Sequence, residues 1–125
     1  MFIRGIRGAT TVIENNKEEI LKETSELLEE IFAQNKLILA DIASIFFSVT
    51  SDIDQAFPAL AARNLGLTDT ALLCFNEISV PNSIKKCIRV LIHVNTEKTQ
   101  SQMKHIYLKE AKKLRPDKEA INKAS

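Results

Sequence analysis

The sequence contains no tryptophan and, in 125 residues, only three glycines, three prolines, two cysteines and two histidines. The glycines, at positions 5, 8 and 66, match neither the spacing of a dinucleotide-binding loop nor that of a P-loop. The two histidines have no companion ligands at zinc spacing, so we expect no metal site. Without tryptophan, and with basic residues that do not alternate with aromatic ones, the chain offers no platform for stacking nucleic-acid bases.

Charge of neither sign is in excess. Seventeen basic and sixteen acidic residues leave a net charge of +1, so no overall field favours nucleic acid or an anionic membrane. No apolar run approaches the length of a membrane span, and charge interrupts the N-terminus too early for a secretory signal. Cys74 and Cys87 have no CxxC spacing and are predicted to be reduced thiols. These observations predict a cytoplasmic protein whose recognition of any anion is local.

The hydrophobic pattern predicts one α+β domain at residues 1–117 and a polar, flexible tail at 118–125. Strands are predicted at 2–11, 43–50, 71–76 and 84–94. A helix is predicted from a cap at Asn16 to near Asn35, a short one from Pro58 to Gly66, and a third at 101–113 with a cap formed by Thr99 and Gln102. The result is a mixed sheet with helices packed outside. The helices are too few to cover both faces of the sheet, so we expect an oligomer to cover the remaining face.

Arg89 constrains the function most. It lies in the apolar run at 87–94, where alternation puts it on one face with Cys87, Leu91 and His93. A guanidinium keeps its proton in a protein, so burying it without an anion would cost on the order of several kcal/mol. Either a carboxylate of the chain, with Glu77 as the natural candidate, or an anionic ligand must therefore meet it.

A second arginine, Arg7, lies among small and apolar neighbours on the first predicted strand. Two guanidinium groups that converge on one pocket repel each other unless an anion with more than one carboxylate or phosphate lies between them. Cys74 and Tyr107, taken alone, are more often core residues than ligand contacts. Nothing in the sequence signals a base near either cysteine. The residues thus predict a pocket that binds an anion and does little covalent chemistry.

Three segments carry a resemblance to a known family: IRGIRGATTV at 3–12, KKCIRV at 85–90, and HIYL at 105–108 with LRPD at 114–117. In this order they closely resemble the small monofunctional chorismate mutases of the trimeric, barrel-like (AroH-type) class. The resemblance implies a homotrimeric pseudo-barrel with active sites between subunits, and it implies no cofactor or metal. It also implies the reaction, which is the Claisen rearrangement of the dianion chorismate to prephenate in phenylalanine and tyrosine biosynthesis.

The resemblance further implies a role for each site residue. Arg89 would lie at the ether oxygen and a substrate carboxylate, Arg7 and Tyr107 would hold the enolpyruvyl carboxylate, and Glu77 and Cys74 would meet the ring hydroxyl. The remaining contacts would be Leu73, Phe75 and Asn76 in the wall, Phe57 and Arg63 across the interface, and Arg115 at the mouth. Cys74 and Glu77 have opposite parity on one strand, so a bend near Asn76 is required if both face the ligand.

Two positions depart from the family pattern. Leu60 stands where a lysine is frequent near the pocket mouth, and Leu73 stands where a threonine is common. Loss of a cation at the mouth should weaken capture of a dianion more than it slows the chemical step. These departures leave open the alternative of a non-catalytic oligomeric sensor of an anionic metabolite. A third alternative is a structural protein whose arginines are paired internally and which binds no ligand.

Overall fold

The computed structural model describes residues 1–114, which form a five-stranded mixed sheet with the two α-helices on one face. The strands are β1 (Phe2–Thr11), β2 (Ile42–Val49), β3 (Ala71–Asn76), β4 (Cys87–Thr96) and β5 (Ile106–Tyr107). The α-helices are α1 (Lys17–Asn35) and α2 (Ala59–Asn64), and 3-10 helices lie at Leu39–Asp41, Gln100–Gln102 and Lys109–Leu114. The predicted α+β class is confirmed. Arg115 and the predicted tail lie outside the described residues.

The sheet has the strand order β3-β2-β4-β1-β5. β4 runs antiparallel to both of its neighbours, whereas β2 pairs with β3, and β1 with β5, in parallel. β4 is therefore central, and β3 and the two-residue β5 form the edges. Within residues 1–114, none of the helices combines the length and the apolar composition of a transmembrane span.

Helix α1 begins and packs as its sequence predicts. The Asn16 side chain accepts a hydrogen bond from the Glu19 amide at 2.8 Å, which satisfies one of the free donors of the first turn. Leu27, Leu28 and Ile31 on its inner face are fully buried and belong to the same core cluster as apolar residues of β1, β2 and β4. Burial of this apolar stripe is what holds the helix on the sheet.

The two faces of the sheet differ, and β4 shows the difference most clearly. Ile88, Val90, Ile92 and Val94 are buried on the helix side, whereas Arg89 and its odd-numbered neighbours point to the opposite side. We call the side opposite α1 the open face. The strand register places on it Arg7 and Ala9 of β1, Phe46 and Ser48 of β2, Leu73 and Phe75 of β3, and Arg89 and Leu91 of β4.

The prediction of a helix at 101–113 is wrong. The chain forms the 3-10 turn Gln100–Gln102, pairs as β5 with β1, and then forms the 3-10 helix Lys109–Leu114. The reason is Gly8: a Cβ there would lie only 3.1 Å from the Ile106 carbonyl oxygen, so the missing side chain lets β5 approach β1. The capping box of Thr99 and Gln102 is present, but it caps the 3-10 turn.

The fourth strand begins three residues later than predicted. Lys86 has a φ of 48°, and its amide donates to both oxygens of the Asp52 carboxylate at 3.1 and 3.0 Å. The amide of Cys87 donates to Thr50 Oγ1 at 3.0 Å. These side chains fix the loop before β4, so regular pairing starts only at Cys87.

Candidate active site

A groove of about 550 Å³ lies on the open face, and we call it the arginine groove. Ala9 pairs with Arg89, and Arg7 pairs with Leu91, so both arginine side chains project from adjacent strands to the same side. Tyr107 pairs with Ala9 from the other flank of β1 and borders the groove. The full lining is Arg7, Gly8, Ala9, Phe46, Ser48, Phe75, Arg89, Val90, Leu91, Tyr107 and Leu114.

Arg89 forms an ion pair with Glu77, which is one of the two partners that the sequence allows, but the two side chains are too far apart for a short hydrogen bond. Arg89 Nε lies 3.6 Å from Glu77 Oε2, and the same oxygen accepts a 2.6 Å hydrogen bond from Ser48 Oγ. Arg89 Nε is itself buried and has no hydrogen-bond partner among residues 1–114. The Arg89 side chain as a whole is 43% exposed. Glu77 thus offsets the charge of Arg89 without a direct hydrogen bond to its Nε.

Ser48 holds Glu77 in this position. Ser48 pairs with Phe75 on one side and with Arg89 on the other, so its hydroxyl lies between the two strands that carry the ion pair. The Glu77 amide donates to the Val49 carbonyl at 2.8 Å, which continues the ladder of β2 and β3 beyond the last residue of β3. The carboxylate is therefore fixed by both its main chain and its side chain.

The backbone of Arg7 is bound by a histidine. The Arg7 amide donates to His105 Nδ1 at 2.9 Å, so this nitrogen carries no proton and the neutral ring has its proton on Nε2. Burial, and then the charge of Arg7, lower the pKa of His105 below its ordinary value, in agreement with the neutral form. His105 thus connects β1 to the segment that leads into Tyr107.

The two cysteines lie in different surroundings. Burial raises the pKa of the Cys87 thiol to about 11, although the nearby Arg89 guanidinium partly offsets this. Burial also raises the pKa of Cys74, against the opposing effects of the Ala59 backbone and the Arg63 charge. Neither thiol is activated, so the groove has no cysteine nucleophile. No cluster of three metal-ligating side chains occurs among the described residues.

A second groove of about 560 Å³, the Cys74 groove, lies between α2 and β3. Its lining includes Leu60 and five of the predicted site residues, Phe57, Arg63, Cys74, Phe75 and Asn76. Phe57 is 74% exposed. Phe75 borders both grooves, so they are neighbours across the edge strand β3.

One subunit therefore does not bring all the predicted site residues together: some line the arginine groove, others line the Cys74 groove, and Leu73 and Glu77 line neither. β3 pairs with β2 in unbroken register from Ala71 to Asn76, so the described chain has no bend there. Cys74 points to the helix side of the sheet, while Glu77 is hydrogen-bonded to Ser48 on the open face. Within one subunit the two side chains do not converge. Leu73 lies on the open face, 55% exposed, and Arg115 lies outside the described residues.

Sequence reasoning missed Ser48 and His105. Ser48 had a signal, since it is the polar residue that follows the apolar run at 45–47 on a predicted strand. His105 had a weaker one, its position two residues before Tyr107. Both act through cross-strand hydrogen bonds, so only the register reveals what they contact.

Comparison with known proteins gives concordant matches over nearly the whole chain. The family model for chorismate mutase type I matches residues 3–118. The chorismate mutase AroH of Bacillus subtilis (strain 168) is 44% identical over 118 residues, which is 94% of this chain and 93% of that protein. The chorismate mutase AroH of Thermus thermophilus is 44% identical over 120 residues, 95% of this chain and 98% of that protein.

The fold agrees with these sequence matches. The structure of a chorismate mutase from Clostridium thermocellum superimposes with a TM-score of 0.85 at 57% sequence identity. The match covers 86% of this chain and 96% of that one.

Proposed function

The chain belongs to the chorismate mutase type I family and converts chorismate to prephenate, a step towards phenylalanine and tyrosine; we propose that the reaction takes place in the arginine groove. The observation that carries this assignment is the pair of arginines, Arg7 and Arg89, that project from adjacent strands into one groove. Two fixed cations suit a dianionic substrate. No cofactor is part of the proposal, and the comparisons give no support to a non-catalytic sensor.

Arg89 is the proposed catalytic residue. The rearrangement transfers no proton and uses no nucleophile, so catalysis depends on restraint of the substrate and on electrostatics. Cleavage of the ether bond runs ahead of carbon–carbon bond formation and leaves partial negative charge on the ether oxygen. A guanidinium held beside that oxygen stabilises the transition state more than the substrate. Ser48 fixes Glu77, and Glu77 lies 3.6 Å from the buried Nε of Arg89, so the exposed 43% of the Arg89 side chain is what a ligand in the groove would meet.

Arg7 and Tyr107 are the proposed binding residues for the enolpyruvyl carboxylate. They lie on adjacent strands β1 and β5, and the bond from the Arg7 amide to His105 fixes these strands relative to each other. A guanidinium and a phenol together give a carboxylate charge-assisted hydrogen bonds of defined direction. Glu77 would meet the ring hydroxyl and also limit the positive field of the groove.

The active site is proposed to be complete only between subunits of a homotrimer. Support comes from the division of the site. The Cys74 groove, and not the arginine groove of the same subunit, is lined by Phe57, Arg63, Cys74 and Asn76. The open face also exposes apolar side chains, including Leu73 and Phe75, that a neighbouring subunit would cover. We propose that the Cys74 groove of one subunit closes the arginine groove of the next. Arg115 is proposed to act at the mouth.

Leu60 bears on affinity. It lines the Cys74 groove near Arg63, at a position where a lysine would add a second cation. We propose that chorismate is captured less tightly for this reason, with the chemical step unaffected because Arg89 and Glu77 are in place. A cytoplasmic location is also proposed, and the two cysteines support it, since both are free thiols.

Turnover of chorismate by Arg89 variants tests the function. We expect both Arg89→Ala and Arg89→Lys to lower kcat by on the order of 10² or more, because lysine lacks the planar fork that guanidinium presents. Loss of chorismate absorbance in the ultraviolet measures the rate. Arg4→Ala is the matched control: Arg4 is on the same sheet, but its side chain stacks on the Phe2 ring and bonds the Lys98 carbonyl. Near-normal turnover by a folded Arg89→Ala variant would remove Arg89 from the mechanism.

Mixed oligomers test the composite site. Arg89→Ala and Arg63→Ala subunits are to be co-expressed. A site that combines the arginine groove of an Arg63→Ala subunit with the Cys74 groove of an Arg89→Ala subunit retains both arginines. We therefore expect activity above the average of the two parent variants. Activity that equals that average at every mixing ratio would show that each site lies within a single subunit.

A further inference from the structure

Lys109 lies at the turn where the chain leaves β5 and passes onto the open face. Its φ of 54° is in the left-handed region, which residues other than glycine and asparagine seldom adopt. Just before it, the Leu108 amide donates to the Ala9 carbonyl at 2.9 Å. Tyr107, two residues before the turn, lines the arginine groove, and so does Leu114, at the end of the 3-10 helix that follows it. The turn therefore sets the position of two groove residues.

Glu23 is the partner of Lys109 and lies on the other side of the sheet. It belongs to α1, and only 7% of its side chain is exposed. Its Oε2 atom lies 3.5 Å from Lys109 Nζ and has no hydrogen-bond partner among residues 1–114. A carboxylate with so little access to water is tolerated only when a cation offsets it. Lys109 is the cation that the described structure provides.

The ion pair spans the edge of the sheet. Helix α1 packs on the face opposite the groove, whereas the 3-10 helix after Lys109 packs on the groove side, with Ala111 buried against Ala9 and Cys87. The Lys109 side chain extends past β5 to Glu23 on the α1 side of the sheet. The main chain instead continues into the 3-10 helix on the groove side. The pair is thus the charged contact that ties the groove wall to the helix layer.

We propose that Glu23 is a positioning residue that acts through Lys109 to place Tyr107 and the 3-10 helix for substrate binding. The proposal rests on the function assigned above. It concerns binding and not the chemical step, since Arg89 lies on the central strand β4 and is held by Ser48 and Glu77, apart from this turn. Saturating substrate restores the position of Tyr107 and the 3-10 helix, so kcat is kept. The variant loses affinity for the substrate, which appears as a higher KM.

The variant that neutralises the buried carboxylate gives the first test. We expect Glu23→Gln to raise KM for chorismate roughly three- to tenfold and to leave kcat within about twofold. Lys109→Met should raise KM further, because it leaves the Glu23 carboxylate buried without a cation. The double variant Glu23→Gln, Lys109→Met should then have a lower KM than Lys109→Met alone, a rescue that simple damage to the turn does not produce.

Two further variants serve as controls. One separates the charge of Lys109 from the backbone conformation of its turn, and the other tests whether loss of any ion pair in this segment has the same effect. Lys109→Gly allows the left-handed turn but removes the cation and leaves the Glu23 carboxylate buried without one, so its KM should rise above that of Glu23→Gln, as in Lys109→Met. Glu110→Gln breaks the pair of Glu110 with Lys113, which lies in the same segment with a 2.8 Å contact but with both side chains exposed. Its kinetics should equal those of the unmodified protein. A normal KM for Lys109→Gly would overturn the role of the charge.

Hydrogen exchange provides a readout that does not depend on activity. The amides of Leu108 and Ala111 are bonded at 2.9 and 3.0 Å on either side of the turn, and both should exchange faster in Glu23→Gln. If the unmodified protein does not consume chorismate, the proposed function fails while this exchange result still stands. Unchanged KM together with unchanged exchange in Glu23→Gln would overturn the proposal, as would a fall in kcat at constant KM.

Discussion

Replacement of Gly8 by alanine tests the packing between β1, β5 and α1. A Cβ at this position would lie 2.7 Å from Ile31 Cδ1, 3.1 Å from the Ile106 carbonyl oxygen and 3.2 Å from Val90 Cγ2. The first distance is well inside van der Waals contact, and Ile31 is fully buried, so it has little free space in which to move. The Ile106 oxygen is main chain, so β5 itself must shift.

The expected destabilisation of Gly8→Ala is about 1–3 kcal/mol, the range for one extra methyl group in a packed core. For a chain of this length each kcal/mol lowers the melting temperature by about 3–5 °C. Thermal unfolding should be compared at equal protein concentration, because assembly stabilises an oligomer by mass action. Displacement of β5 also moves Tyr107, so we expect KM for chorismate to rise in the folded variant at lower temperature.

Gly5→Ala is the matched control on the same strand. A Cβ at Gly5 would meet Leu91 Cδ1 at 3.6 Å and no other atom closer than 4.0 Å, which is ordinary contact. Alanine should be neutral there or stabilise by up to about 0.5–1 kcal/mol, because glycine loses more backbone entropy in a strand. If Gly8→Ala melts at the same temperature as the unmodified protein, the close approach of β5 and α1 to this strand is wrong.

Two other changes probe the site. Cys74→Ser should lower kcat less than about tenfold, because the reaction uses no nucleophile; complete inactivation of the folded variant in the chorismate assay would indicate different chemistry. His105 has a pKa below its ordinary value, so as the pH falls through that pKa its Nδ1 gains a proton, loses the bond from the Arg7 amide, and KM should rise. By linkage, the stability that depends on neutral His105 is full above the unfolded pKa of about 6.5 and declines below it. His105→Asn keeps an acceptor but cannot titrate, so KM measured from about pH 5 to 8 should vary less than in the unmodified protein, and identical profiles would exclude this role.

Local patterns predicted most of the sheet and helix α1. β1 and β3 have the predicted bounds, and the cap at Asn16 marks the start of α1, because these signals depend on neighbours in sequence. The segment at 101–113 failed for the opposite reason. Met103, Ile106 and Tyr107 have helical spacing, but Gly8, nearly a hundred residues away, exposes the edge of β1 to main-chain pairing. Long-range pairing prevailed over local periodicity.

The site was predictable in its charges but not in its geometry. Strand parity placed Arg89 on the correct face, and the family resemblance grouped it with Arg7 and Tyr107, which the groove brings together. The resemblance did not show that Cys74 lies in a separate groove, since that follows from the unbroken register of β3. Ser48 was missed because its role is a hydrogen bond across strands.

The strand order also bears on how the enzyme releases product. Arg89 is on β4, which is hydrogen-bonded on both sides, whereas Tyr107 is on a two-residue strand that, within residues 1–114, pairs with β1 alone. Edge elements open locally at a free energy far below that of global unfolding, whereas central strands open only with the whole fold. We therefore expect β5 to detach and reattach many times while Arg89 stays in place. If the reaction takes place in the arginine groove as proposed, such fraying would provide an exit for prephenate, and the next chorismate would meet an Arg89 charge that needs no reorganisation.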